Sequence, residues 1–280
     1  MSELNPQQQL AVDTLSGPLL LLAGAGTGKT TVIVHRIANL VRHGVLPEAI
    51  LAVTFTNKAA REMKERVNGL LGKQADSMTV STFHAFCASV LHRSINQLGY
   101  KCNFSIASDS YQNGLIREMI AEEGLTGKGF DPGMVLHQIS LAKAALKTPD
   151  QLLDENLLPY TPQLALLYRK YQLRLQQMDM LDFDDMLMLT VRLWQQFPEI
   201  LAKYQQKFSH LMIDEYQDTN AAQLQIMLLL AGQAGNIAVV GDDDQSIYGW
   251  RGADLGNILQ FEAYFPNAKV IRLEQNYRST

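Results

Sequence analysis

Ala23-Gly24-Ala25-Gly26-Thr27-Gly28-Lys29-Thr30 places three glycines, a lysine and two hydroxyl side chains within eight positions. Glycines let a backbone curl until its N–H groups face one anion, and a helix opening just afterwards adds partial positive charge. Lys29 has the reach for β- and γ-phosphates, and Thr30 has a hydroxyl for Mg²⁺. The segment fits the phosphate-loop pattern, with Ala23 in place of its first glycine. It implies a nucleoside triphosphate and leaves the reaction open. A flexible glycine-rich turn is the plain alternative. The coincidence of apolar strand, loop, Lys-Thr pair and helix argues against it.

Far downstream, Leu211-Met212-Ile213-Asp214-Glu215 ends an apolar run on two carboxylates. Asp214 is placed to hold Mg²⁺ through a water, and Glu215 to orient and deprotonate an attacking water. A second acid favours transfer to water over transfer to another substrate. A helix cap or a solvated turn explains such a pair when it stands alone, but less well beside a phosphate loop. Another acidic cluster, Asp182-Phe183-Asp184-Asp185, precedes Met186-Leu187-Met188-Leu189 and reads as an N-cap with first-turn acids.

These groups need a scaffold that brings them together. Leu19–Ala23 reads as a buried strand and 29–43 as the helix after it. The stretch 50–55 is strand-like, 57–71 helical, and 79–83 a further strand. The strand signal returns at 210–214, 236–241 and 269–273. Strands alternating with helices imply parallel βαβ units and a doubly wound sheet. Between about Ser89 and Pro198 the pattern is mostly helical, with turns at 124–133 and near Pro149, Pro159 and Pro162. Leu164 to Met178 carries Leu, Tyr and Met at core-packing spacing. The expected architecture is therefore an α/β domain over residues 1–88 and 199–280, interrupted by a helical insertion over 89–198. The chain stops at Thr280, a few residues past a strand, which suggests part of something longer.

Composition bounds the remaining possibilities. The 280 residues are 47% hydrophobic and 19% charged, an ordinary globular balance. Twenty-four basic against 28 acidic residues give a net charge of −4, which excludes a uniformly basic nucleic-acid coat but not a local basic groove. Two cysteines, Cys87 and Cys102, cannot build a four-thiolate site and suggest no disulfide framework, so a reduced, cytoplasmic setting is expected. The longest apolar run, Pro18 to Ala25, is too short to span a membrane, and no signal-peptide pattern opens the chain.

Six blocks in order now carry a resemblance. They are 4–8 (Leu-Asn-Pro-Gln-Gln), Ala23 to Thr30, 54–60 (Thr-Phe-Thr-Asn-Lys-Ala-Ala), 81–84 (Ser-Thr-Phe-His), 214–218 (Asp-Glu-Tyr-Gln-Asp) and Val240 to Ala253. A seventh, 275–279 (Gln-Asn-Tyr-Arg-Ser), closes the chain. The chain resembles the N-terminal part of UvrD/Rep/PcrA-type superfamily 1 DNA helicases over essentially its whole length. The resemblance implies a RecA-like P-loop NTPase parallel sheet with a helical insertion domain. It also implies a second motor domain that this chain does not contain. ATP and Mg²⁺ are the implied cofactors. Single-stranded DNA and single/double-strand junctions are the implied partners, with 3′ to 5′ movement driven by ATP hydrolysis.

Residue by residue, the resemblance implies that Gln8 reads the adenine edge, since an amide pairs a donor with an acceptor. Gly24, Ala25, Gly26, Thr27, Gly28, Lys29, Thr30 and Thr31 would hold the phosphates, with Arg36 near the nucleotide. Tyr277 would stack on the base and Arg278 touch the γ-phosphate. Thr30 and Asp214 would hold the metal, Glu215 would serve as base, and Gln245 would sense the γ-phosphate. Thr56, Asn57 and Lys58 suit DNA phosphates, and Thr56 or Asn57 doubles as an N-cap. Phe83 and His84 are expected beside a base and the backbone. Trp250 and Tyr248 are candidates for base stacking, and Arg251 for a phosphate or a carboxylate. The helix 59–73 mixes charges and reads as a solvated face.

Two other readings stay open at this stage. One is the motor part of a helicase–nuclease complex. The other is a nucleotide-gated DNA-binding module without effective turnover.

Overall fold

The computed structural model describes residues 4–24, 26–155, 160–242, 258, 260–273 and 275. Its first elements are α1 (Pro6–Asp13), β1 (Leu19–Ala23), α2 (Lys29–Arg42), β2 (Ile50–Thr54), α3 (Asn57–Leu71), β3 (Thr79–Thr82) and α4 (Phe83–Ser94). There follow β4 (Ser105–Ile106), α5 (Asp109–Glu122), α6 (Pro132–Ala144), α7 (Pro149–Glu155), α8 (Thr161–Gln177), β5 (Met180–Leu181) and α9 (Phe183–Gln196). The last are α10 (Pro198–Lys207), β6 (His210–Ile213), α11 (Ala221–Ala231), β7 (Ile237–Gly241), α12 (Phe261–Tyr264) and β8 (Lys269–Leu273). None of the helices described is long and apolar enough to cross a membrane.

Two compact units divide the chain. The first comprises Met1–Phe86, Pro198–Thr219 and Gln223–Thr280. It is built on a six-stranded sheet of order β3-β2-β6-β7-β1-β8, in which every pairing is parallel. All five residues of β1, β2 and β7 are buried, which is why these strands read as unbroken apolar runs rather than alternating ones. Helix α2 buries Val32, Ile33 and Ile37 against the sheet residues Leu19, Leu21, Ala52 and Ala238. Each strand expected in this unit is present, with its ends within one residue. The third stops at Thr82 because the Thr82 Oγ1 accepts the Ala85 N–H (3.2 Å) and starts a helix at Phe83.

Parallel pairing puts the C-terminal ends of all six strands on one edge. The chain leaving β1 does not pair next door, because β1 lies between β7 and β8. Such a reversal of strand order leaves a crevice at the carboxyl ends, where α/β sheets take their ligands.

The second unit, Cys87–Phe197 with Asn220–Ala222, is mostly helical. Its core gathers Ile116, Met119, Ile139, Leu167, Tyr168 and Tyr171. Strands β4 and β5 form a two-residue parallel ladder, too short to leave a periodic trace in the sequence. The acidic cluster is an N-cap as expected. Asp182 caps α9 in a reciprocal box with Asp185, the two side chains taking each other's N–H at 2.8 and 3.1 Å. The structure adds a partner for that box. Lys143, fully buried on α6, bonds Asp182 Oδ2 at 2.6 Å and Asp185 Oδ1 at 2.8 Å. Tyr171 Oη donates to Asp182 Oδ2 (3.0 Å) and Gln172 Nε2 to Asp185 Oδ1 (2.9 Å). The four carboxylate oxygens are thus all satisfied.

Candidate active site

The crevice edge carries three loops from neighbouring strands, those after β1, β6 and β7. After β1, Gly26 (φ 77°) and Gly28 (φ 87°) take left-handed backbone conformations, and Gly28 opens α2 with no side-chain cap. The first N–H groups of α2 therefore lack a capping side chain, an arrangement suited to an anion. Thr27 is buried and folds its hydroxyl back onto Gly24 O (2.8 Å), which fixes the loop's curl. A Cβ at Gly28 would meet Gln8 Nε2 at 2.8 Å. Gly28→Ala is expected to weaken nucleoside triphosphate binding by roughly 5–30-fold, the equivalent of about 1–2 kcal/mol for a left-handed L-residue. Titration of a fluorescent nucleotide checks this.

Gln8 is 4% exposed and belongs to the α1 capping box. Its Oε1 accepts the Asn5 N–H (3.0 Å) and its Nε2 donates to Thr27 O (2.9 Å). Among the described residues, one lone pair and one N–H of this amide take no partner and could serve a ligand. The residue thereby ties α1 to the phosphate loop. Arg36 lies two turns into α2 from Lys29. It is 1% exposed and donates from Nη1 to Ala11 O (3.0 Å). Burial pushes its pKa down to about 10. Expected near the nucleotide, it is instead packed inside, holding α1 onto α2.

After β6, Glu215 adopts a left-handed conformation (φ 52°, ψ 47°) that a non-glycine residue rarely takes. It turns the chain into the short helical turn Tyr216–Asp218. Asp214 is 5% exposed, and its Oδ1 accepts the Glu215 N–H (3.1 Å). Burial and the neighbouring Glu215 carboxylate raise its pKa to about 6. Glu215 is half-exposed, and its Oε2 lies 3.9 Å from Lys29 Nζ.

After β7, Asp242 is 1% exposed and its Oδ2 holds Lys29 Nζ at 3.1 Å. Lys29 thus stands among Glu215 and Asp242, positive charge against two acids. Gln217, 2% exposed, closes the group. Its Nε2 donates to Glu215 Oε2 (2.7 Å) and its Oε1 accepts the Asp242 N–H (3.0 Å). Asp242 and Gln217 stood inside quoted sequence blocks without a role. Their signal was position, Asp242 directly after an apolar strand and Gln217 two residues past an acidic pair.

Thr30 and Asp214 offer a hydroxyl and a carboxylate, hard oxygen donors of the kind Mg²⁺ takes. No group of three or more His, Cys, Asp or Glu that could hold a metal occurs among the described residues. The donor set fits a cation that brings phosphate and water ligands with it. Thr31 follows in the same first turn of α2.

A second group of candidates lies at the ends of β2 and β3, adjacent strands in register at Thr54 and Thr82. Thr56 caps α3 by accepting the Ala59 N–H (3.1 Å), and Thr56, Asn57 and Lys58 are all exposed. Lys58 stands 78% exposed, with a long 3.9 Å contact to Glu62 as its one ion pair among the described residues. Phe83 corrects the expectation of a base contact. It is 2% exposed and packed edge-on against Phe55, ring centres 5.8 Å apart, because the helix starts there and turns the ring inward. His84 is half-buried beside it. Ala25, Gln245, Tyr248, Trp250, Arg251, Tyr277 and Arg278 lie outside the described residues.

Against known proteins, the chain matches the family described as UvrD/REP helicase N-terminal domain over residues 4–266. It is 51% identical over 282 residues to the ATP-dependent DNA helicase PcrA of Bacillus subtilis, covering 100% of this chain and 38% of that protein. It is 48% identical over 281 residues to the protein of the same name from Staphylococcus aureus strain Mu50, with the same coverage. The chain thus spans 38% of the length of the curated relatives it matches.

Proposed function

Because this chain belongs to the UvrD/REP helicase N-terminal domain family, we propose that it is the ATP-hydrolysing, DNA-binding motor domain of a DNA helicase. The all-parallel α/β unit is the RecA-like part, and the helical unit is its insertion domain. The observation that carries this reading is the meeting of Lys29, Glu215 and Asp242 at the ends of three neighbouring strands.

The chemistry follows from those groups. An incoming triphosphate competes with Asp242 for Lys29, whose charge moves onto the β- and γ-phosphates. The uncapped N–H groups of α2 and the glycine loop take the remaining phosphate oxygens. Thr30 and Asp214 would hold Mg²⁺, which supplies further charge compensation on the phosphates. Glu215 orients a water and accepts its proton as the water oxygen bonds to the γ-phosphorus. The bond from that phosphorus to the β,γ-bridging oxygen breaks, leaving ADP and phosphate. Gln8 reads the adenine edge with the donor and acceptor capacity it retains. Gln245 reports the γ-phosphate, and Tyr277 and Arg278 complete the nucleotide site.

Thr56, Asn57, Lys58 and His84 face single-stranded DNA, with Tyr248, Trp250 and Arg251 supplying stacking and charge. Phosphate contacts and stacking accept any base, so sequence preference is weak. Movement is 3′ to 5′, toward single/double-strand junctions, in DNA repair or replication restart.

Steady-state ATP hydrolysis with and without single-stranded DNA tests the reading. These 280 residues by themselves are expected to bind Mg-ATP and turn it over slowly, because they span 38% of the length of their relatives and the transition-state charge needs further compensating groups. The full-length protein is expected to show DNA-stimulated turnover and to unwind a duplex with a 3′ tail but not one with a 5′ tail. Absence of nucleotide binding would overturn the proposal. Unwinding from the 5′ tail would overturn the polarity.

A further inference from the structure

Resting on the ATP-hydrolysis reading above, we infer that Gln217 is the positioning residue that holds Glu215 ready as base and ties it to the end of β7. Glu215 needs such help. Its side chain is 42% exposed, and its link to Lys29 is a long 3.9 Å. A carboxylate so placed samples several rotamers, and a base must lie within hydrogen-bond reach of one water.

Gln217 supplies the missing restraint. Its amide uses both ends on different elements, donating to Glu215 Oε2 at 2.7 Å and accepting from the Asp242 backbone at 3.0 Å. The amide itself cannot swing away. It is 2% exposed and pressed against Gly241, where a built Cβ would come within 3.3 Å of Oε1 and 3.4 Å of the Gln217 backbone nitrogen. A side chain at 241 would crowd Ile258 Cδ1 first, at 3.0 Å, and then the Gln217 turn. Hydrogen bonds therefore run from Glu215 through Gln217 to the Asp242 backbone, and the Asp242 side chain holds Lys29 at 3.1 Å. Glu215 is thereby held by one buried amide, whose NH₂ and carbonyl ends serve as donor and acceptor at the same time.

Two substitutions in the full-length protein test this. Gln217→Glu keeps the shape and can still accept from Asp242, but it cannot donate to Glu215 and sets a like charge beside it. Gln217→Met removes both bonds at similar volume. Each is expected to lower kcat by about 10–100-fold, the range for a lost hydrogen bond to a charged group, with Mg-ATP affinity held within about threefold. The effect should shrink sharply in a Glu215→Gln background, since Gln217 acts through Glu215. A purely structural role would instead lower affinity, thermal midpoint and kcat together, and by the same factor in both backgrounds. That result, or kcat within twofold of wild type in Gln217→Glu, overturns the inference. If Glu215→Gln alone keeps full turnover, Glu215 is not the base, and that part of the proposed function fails instead. Should Gln217→Met fail to fold, the Gln217→Glu pair decides.

Discussion

Glu215→Gln is expected to cut ATP turnover by roughly 10²–10⁴-fold, the range for loss of a positioned general base, while Mg-ATP binding stays within a few-fold. The two side chains share volume, so the left-handed turn at 215 and the contact with Gln217 survive. The amide cannot take a proton from water. It also removes one negative charge from beside Lys29, which leaves the lysine no worse placed for phosphate. Single-turnover hydrolysis, paired with a nucleotide titration, separates the chemical step from binding. Undiminished single-turnover rate would assign the proton to another group.

Lys143→Met is expected to destabilise the helical unit by about 3–5 kcal/mol, because removing one partner strands the other charges in the interior. Lys143 is 0% exposed, and Asp182 and Asp185 each rely on it for a charged bond. Burial works against its charge, but the two carboxylates override that and raise its pKa well above the usual lysine value. Burial and Asp182 together push Asp185 up to about 6. A raised carboxyl pKa means the folded state binds the proton more tightly than the unfolded chain. Asp185 therefore costs stability as pH rises from about 4 through about 6. Without Lys143 that cost grows, so the deficit of Lys143→Met should be larger at pH 7 than at pH 5. Adding Asp185→Asn should recover part of it at pH 7. Urea unfolding at the two pH values measures both effects. An equal deficit at both would place the lysine's contribution in packing alone.

What the sequence could tell depended on how local each signal was. The phosphate loop is eight consecutive residues between an apolar strand and a helix, so pattern and place coincide. The strands flanking the site are buried on both faces, and their unbroken Leu, Ile and Val runs announce themselves. Gln217 and Asp242 are 25 positions apart and carry no periodic signature, so their bond emerges only when β6 and β7 pair. Lys143 is likewise 39 and 42 positions from its acids, and nothing around it marks a buried ammonium. Asp182 and Asp185 were legible as a cap because capping is local, but not as a buried ion site. Phe83 and Arg36 went the other way. Their chemistry suited a ligand, and packing claimed them for the interior.

The order of strands in the sheet also sets when the site can exist during folding. β1 lies beside β7 and β8, and the Gly17 N–H reaches Asn236 Oδ1 across 219 positions of chain. Lys29 and Asp242 cannot meet until that distant pairing closes. Contacts of such long range are slow to form, because chain entropy is spent before they reward it. The helical unit, whose core is assembled from a contiguous stretch, can condense first and shorten the loop to be closed. The phosphate loop is then among the earliest segments synthesised and the latest to become a binding site. A nascent chain short of β7 would carry the loop yet have no Asp242 to rest its lysine on.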